Sequence, residues 1–174
     1  MNLVKNQKAL VLTNIENGLE SILQEVTNIR PENMLTIQCY GPVISNPYGD
    51  IMRSIIIAIY QENVEEIFVV GKQDKENTSV KVLTQIESMK DKIQTLDYLF
   101  QYNRPEFSGV TVKEWLYGKE NENASDNIKK CVNIIQHHPL VPSHVKVQGI
   151  IVSNEDGKPI IGEIPTNITV SNLT

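Results

Sequence analysis

Two lysines stand where an apolar run breaks into polar chain. In residues 69–77, Val-Val-Gly-Lys-Gln-Asp-Lys-Glu-Asn, Lys72 and Lys75 flank Asp74 directly after Gly71. Two ammonium groups at a strand end can hold a small anion, and a lysine stripped of its charge can act as a nucleophile. The neighbouring carboxylates Asp74 and Glu76 favour the protonated lysine and so oppose the nucleophile. The other groups able to hold a metal or move a proton are Cys39, Cys131, His137, His138 and His144. His137 and His138 are adjacent at a helix end and do not readily face one ion. His144 sits between Pro142 and the next strand. Cys131 lies among Ile128, Ile134 and Ile135 at helical spacing, as a core thiol does. The preferred reading of this set is core thiols and surface imidazoles, with Cys39 alone near a site edge. No Ser-His-Asp or Cys-His arrangement has local support.

The elements that must position these residues follow from pattern. Lys8–Thr13 is an apolar run of strand length. Leu19, Ile22, Leu23 and Val26 recur at i, i+3, i+4, i+7 and predict a helix. Asn33–Cys39 predicts a second strand, and the Gly-, Pro- and Asn-rich residues 41–50 a loop. Asp50 is the expected N-cap of a largely buried helix with Ile51, Ile55 and Ile59 on its inner face. Residues 65–71 predict the third strand. Helical spacing then runs through Val82, Leu83, Ile86, Met89, Ile93, Leu96 and Leu99, and a short helix or turn ends at Gly118. An amphipathic helix capped by Ser125 or Asp126 stops at Pro139 and Pro142. Residues 144–164 carry the strand, Asp156-Gly157 turn and strand of a hairpin.

This order predicts an α/β fold: a central, mostly parallel sheet flanked by helices on both faces, with a C-terminal strand pair, as one domain over residues 1–174. Right-handed crossovers bring the loops after the first three strands to one sheet edge. Residues 13–18, 38–42 and 71–77 are then neighbours.

A chain of 174 residues is long enough for a substantial core. A net charge of −5 with no concentrated basic stripe argues against nucleic acid as a partner. The longest apolar run, Ser54 to Tyr60, is too short to cross a bilayer, and the N-terminus lacks the pattern of an export signal. Cytoplasmic location with two reduced cysteines is expected.

Four segments together resemble the β-class carbonic anhydrases, and most closely their short bacterial members. They are Lys8-Ala-Leu-Val-Leu-Thr-Asn-Ile-Glu-Asn-Gly, Asp50-Ile-Met-Arg-Ser, Glu66-Ile-Phe-Val-Val-Gly-Lys-Gln-Asp, and His138-Pro-Leu-Val-Pro-Ser-His-Val-Lys-Val-Gln-Gly. The likeness covers most of residues 7–163 and is weakest between about 94 and 122. The family's first strand ends Val-Leu-Thr-Cys-Met-Asp-x-Arg and its third Val-x-Gly-His-Thr-Asp-Cys-Gly. The resemblance implies a zinc ion held by Cys, His and Cys, which generates a hydroxide from bound water for attack on carbon dioxide. Carried over by position, the first Cys falls on Asn14, the Asp on Glu16 and the Arg on Gly18. The His falls on Lys72 and the second Cys on Lys75, while the motif Asp is kept as Asp74. A protonated lysine has no lone pair for a metal.

The resemblance therefore implies a vestigial site made of Asn14, Glu16, Gly18, Lys72, Asp74 and Lys75, with no zinc and no other cofactor. Lys72 is expected to pair with Glu16, or secondly with Asp74. Lys72 and Lys75 are a candidate site for a small anion such as bicarbonate. The expected function is a zinc-less carbonic-anhydrase-like pseudoenzyme with a binding or regulatory role linked to inorganic carbon. Two alternatives stand beside it: an active carbonate dehydratase or other lyase with a non-standard metal site, and an interaction subunit that pairs with an active homologue or a transporter. The family also implies a homodimer, and the apolar Ser54–Tyr60 run is by its own composition expected to be a buried or interface element.

Overall fold

The computed structural model describes residues 7–14, 19–40, 44, 46–73, 85–103, 110–118, 122–155 and 158–165. The strands are β1 (Lys8–Thr13), β2 (Met34–Gln38), β3 (Val64–Lys72), β4 (Lys146–Glu155) and β5 (Lys158–Ile164). The helices are α1 (Leu19–Thr27), α2 (Asp50–Glu62), α3 (Lys90–Tyr102), α4 (Val112–Tyr117) and α5 (Ala124–Gln136). The strands form one sheet in the order β2-β1-β3-β4-β5. The pairs β1–β2, β1–β3 and β3–β4 are parallel, and β4–β5 is antiparallel. The α/β architecture with its C-terminal strand pair is therefore the one expected.

Alternation along the strands divides the core between two faces. Leu10 and Leu12 of β1 with Ile67 and Val69 of β3 pack against Ile55 of α2 and Ile128 and Ile135 of α5. Ala9 and Val11 with Phe68 and Val70 turn the other way, onto Leu23 of α1 and Ile29. With both faces covered, β1 and β3 read as nearly unbroken apolar runs. Two strand glycines let α5 come close. A Cβ at Gly71 would stand 2.8 Å from Ile128 Cδ1, and one at Gly149 would stand 2.7 Å from Ile128 Cγ2.

Several local expectations are corrected. The N-cap of α2 is Gly49, and Asp50 is the first helical residue, where its carboxylate pairs with Arg53 at 3.0 Å. The inner face of α2 is Met52, Ile55 and Ile59, with Ile51 only half-buried and Ile57 and Tyr60 exposed. The cap of α5 is Asn123 in place of Ser125 or Asp126. Its side chain accepts from the Asp126 N–H at 2.8 Å, and Asp126 reaches back in a capping box. Leu96 and Leu99 of α3 are exposed, although their spacing is helical; only Phe100 of that helix is buried. Apart from these corrections, Trp115 of α4 is partly exposed and stands edge-on to Phe100 at 5.6 Å. The Asp156-Gly157 turn and residues 74–84 lie outside the described residues.

Candidate functional site

Three strand ends meet at one edge. Thr13 of β1 is registered against Gln38 of β2 and against Val70 of β3. One residue further, Asn14 leaves β1 beside Cys39 on one side and Gly71 on the other, and Lys72 closes β3. The ladder continues past the strand ends: the Cys39 N–H donates to the Thr13 carbonyl at 3.0 Å, and the Gln73 N–H to the Val152 carbonyl at 2.9 Å. The gathering of the post-strand residues at one edge, expected from topology, is thus present for Asn14, Cys39 and Lys72.

Their surroundings differ. Asn14 and Lys72 are exposed, and Lys72 is not without a partner. Cys39 is half-buried against the α2 side of the core, with Sγ 3.9 Å from the Thr13 carbonyl. Burial pushes its thiol above the ordinary cysteine range, because desolvation penalises the thiolate. Glu16, Gly18, Asp74 and Lys75 lie outside the described residues, and with them the expected Lys72–Glu16 and Lys72–Asp74 pairs.

Zinc is held by thiolate, imidazole or carboxylate donors in a tetrahedral set. The amide of Asn14 and the ammonium of Lys72 do not fit that requirement. Among the described residues, no three His, Cys, Asp or Glu side chains gather where they could hold a metal ion. Cys131 is buried in the core, as its spacing implied. His138 is the exception to the expectation of surface imidazoles: it is buried, while His137 and His144 are exposed. Sequence reasoning missed it because a histidine next to a helix stop looks solvated. No local signal marks it, because the contact of its ring with that of Tyr48 is made across the fold. Among the described residues, no helix is long and apolar enough to cross a membrane.

No protein-family profile matches the chain. A protein of Bacillus subtilis (strain 168), YbcF, named as carbonic anhydrase-like, is 64% identical over 165 residues, or 95% of this chain and 92% of that protein. Among solved structures, β-carbonic anhydrase isoform I from Trichomonas vaginalis covers 94% of this chain and 87% of its own, with a TM-score of 0.63 and 16% identity. The chain belongs to the β-carbonic anhydrase family. The apo form of a carbon disulfide hydrolase is similar in fold to this chain, at a TM-score of 0.63 and 20% identity, covering 94% of this chain and 81% of that one. At these identities the solved structures speak to the fold. The strand tips of this carbonic-anhydrase-like chain must be read from its own residues.

Proposed function

We propose that this carbonic-anhydrase-like protein has lost the zinc site and does not hydrate carbon dioxide. In this reading Asn14, Glu16, Gly18, Lys72, Asp74 and Lys75 are the vestigial site, and Lys72 with Lys75 holds a small anion such as bicarbonate. The protein is a cytoplasmic homodimer of one domain, and its role is binding or regulation in inorganic-carbon handling. The observation that carries the reading is the chemistry of the adjoining tips of β1 and β3. There the chain offers an amide at Asn14 and an ammonium at Lys72, where a hydratase of this family needs soft donors. An ammonium at such an edge favours an anion over a cation, and a small oxyanion needs only one or two charge-assisted hydrogen bonds.

Titration of the protein with ¹³C-bicarbonate, followed through the backbone amides of residues 71–73, tests the binding half of the proposal. Saturable shifts that vanish in Lys72→Gln support it, and unchanged spectra at saturating bicarbonate refute it. The named activity of the carbon disulfide hydrolase neighbour makes carbon disulfide the second substrate to assay. Turnover of carbon dioxide or of carbon disulfide would favour the reading as an active lyase.

A further inference from the structure

Away from the strand tips, a groove of about 390 Å³ lies between the residues leading into α2, the outer face of α2 and the turn after α5. Its walls include Tyr48, Arg53, Ile56, Ile57, His138 and Leu140, and none of the residues assigned to the vestigial site. The turn is firmly held. The His138 N–H donates to the Ile135 carbonyl at 3.2 Å, the Val141 N–H to the His138 carbonyl at 3.0 Å, and the Tyr60 hydroxyl to the Leu140 carbonyl at 2.7 Å. The groove is therefore pre-formed, and its volume lies at the low end of the range for small-molecule sites.

His138 gives the groove its chemistry. The residue is only 8% exposed, and its ring meets that of Tyr48 edge-on at 5.8 Å. Its Nδ1 accepts the Leu140 N–H at 3.2 Å, so the ring proton sits on Nε2. Among the described residues, nothing accepts from that Nε2–H. His138 lines the groove, so this N–H is a donor that a ligand's acceptor could engage. At the rim, Arg53 is exposed and shares its guanidinium with Asp50 at 3.0 Å. A guanidinium has five N–H groups, so one carboxylate partner leaves donors for a second.

We propose that this groove binds a small aromatic monocarboxylate. The hydrocarbon rests on Ile56, Ile57, Leu140 and the Tyr48 ring, and the carboxylate accepts from His138 Nε2–H and from Arg53. Asp50 already balances part of the Arg53 charge, so a single negative charge suits the site better than a dianion. The site does not depend on the reading of the strand tips.

The test is a titration of the full chain with 2-naphthoate, monitored through the ¹⁵N–¹H resonances of the imidazole rings. A saturable shift of the His138 Nε2 resonance is expected. Arg53→Gln, a surface change that leaves the fold intact, should weaken binding by about tenfold, as for the loss of one charge-assisted hydrogen bond. The alcohol analogue 2-naphthalenemethanol should bind more weakly than the carboxylate to the parent chain and equally to Arg53→Gln. Absence of a saturable shift, or an undiminished affinity in Arg53→Gln, overturns the proposal. So does a His138 perturbation that grows with protein concentration without naphthoate, which would assign the groove to a second copy of the chain.

Discussion

Replacing Gly149 by alanine should force α5 off the sheet, and the cost can be worked from contacts to one isoleucine. The added Cβ would stand 2.7 Å from Ile128 Cγ2, 3.4 Å from Ile164 Cβ and 3.5 Å from Val132 Cγ2. At Gly71 the corresponding atom would stand 2.8 Å from Ile128 Cδ1 and 3.1 Å from its Cγ1. Carbon atoms rest at about 3.5–4.0 Å, so both substitutions overlap Ile128. The atoms differ in freedom. Cδ1 ends the side chain and turns about χ2, whereas Cγ2 moves only with χ1, which a β-branched residue in a helix holds in one strongly preferred well. Ile128 is buried, with no solvent to turn into.

Overpacking costs about 1–3 kcal/mol, and removing a strand glycine returns about 0.5–1 kcal/mol. The net expectation for Gly149→Ala is a loss of about 1–2 kcal/mol, and for Gly71→Ala about 0–1 kcal/mol. Ile128→Val deletes Cδ1 and keeps Cγ2, at a cost of about 0.5–1.5 kcal/mol by itself. In double-mutant cycles it should rescue Gly71→Ala with a coupling of about 1 kcal/mol and leave Gly149→Ala uncoupled. Urea unfolding followed by circular dichroism, with the m value checked for constancy, measures all of these. The reasoning is refuted if Gly149→Ala is as stable as the parent, or if Ile128→Val rescues both glycine variants alike.

Two further outcomes are expected. Burial holds the Cys39 thiol above the ordinary cysteine range, so iodoacetamide at mildly alkaline pH should label it more slowly in the folded chain than in urea. Because the folded value is the raised one, its contribution to stability is intact below the ordinary range and is lost as pH rises through the raised value; Cys39→Ser should flatten that decline in pH-dependent urea melts. The triple variant Asn14→Cys, Lys72→His, Lys75→Cys restores the family's donor types at the assigned positions. It should bind zinc in near one-to-one ratio by competition with a chromogenic chelator, and failure in a folded variant would show that the positions are misassigned.

Much of this fold could be read from the chain. β1 and β3 are apolar on both faces, and the β-α-β order leaves few topologies once crossovers are right-handed. What escaped was non-local or degenerate. Asn123, Ser125 and Asp126 are all able caps, and only the capping box between Asn123 and Asp126 decides among them. The spacing in α3 announces a helix but cannot say what covers Leu96 and Leu99. Glu66 is buried inside β3, and nothing in its sequence neighbourhood separates it from its more exposed neighbour Glu65. His138 is buried by residues that come from ninety positions upstream, as Tyr48 does. At the strand tips, the sequence supplied the residue types, and the register supplied the adjacency of Asn14 to Cys39 and to Gly71, one residue before Lys72.

The most direct test of the account is the zinc content of the protein, purified without chelators from zinc-supplemented cells and measured by inductively coupled plasma mass spectrometry beside a stopped-flow carbon dioxide hydration assay. The account predicts zinc far below one ion per chain and a hydration rate no higher than that of buffer. One tightly held zinc per chain, with a hydration rate that a chelator removes and added zinc restores, would contradict it.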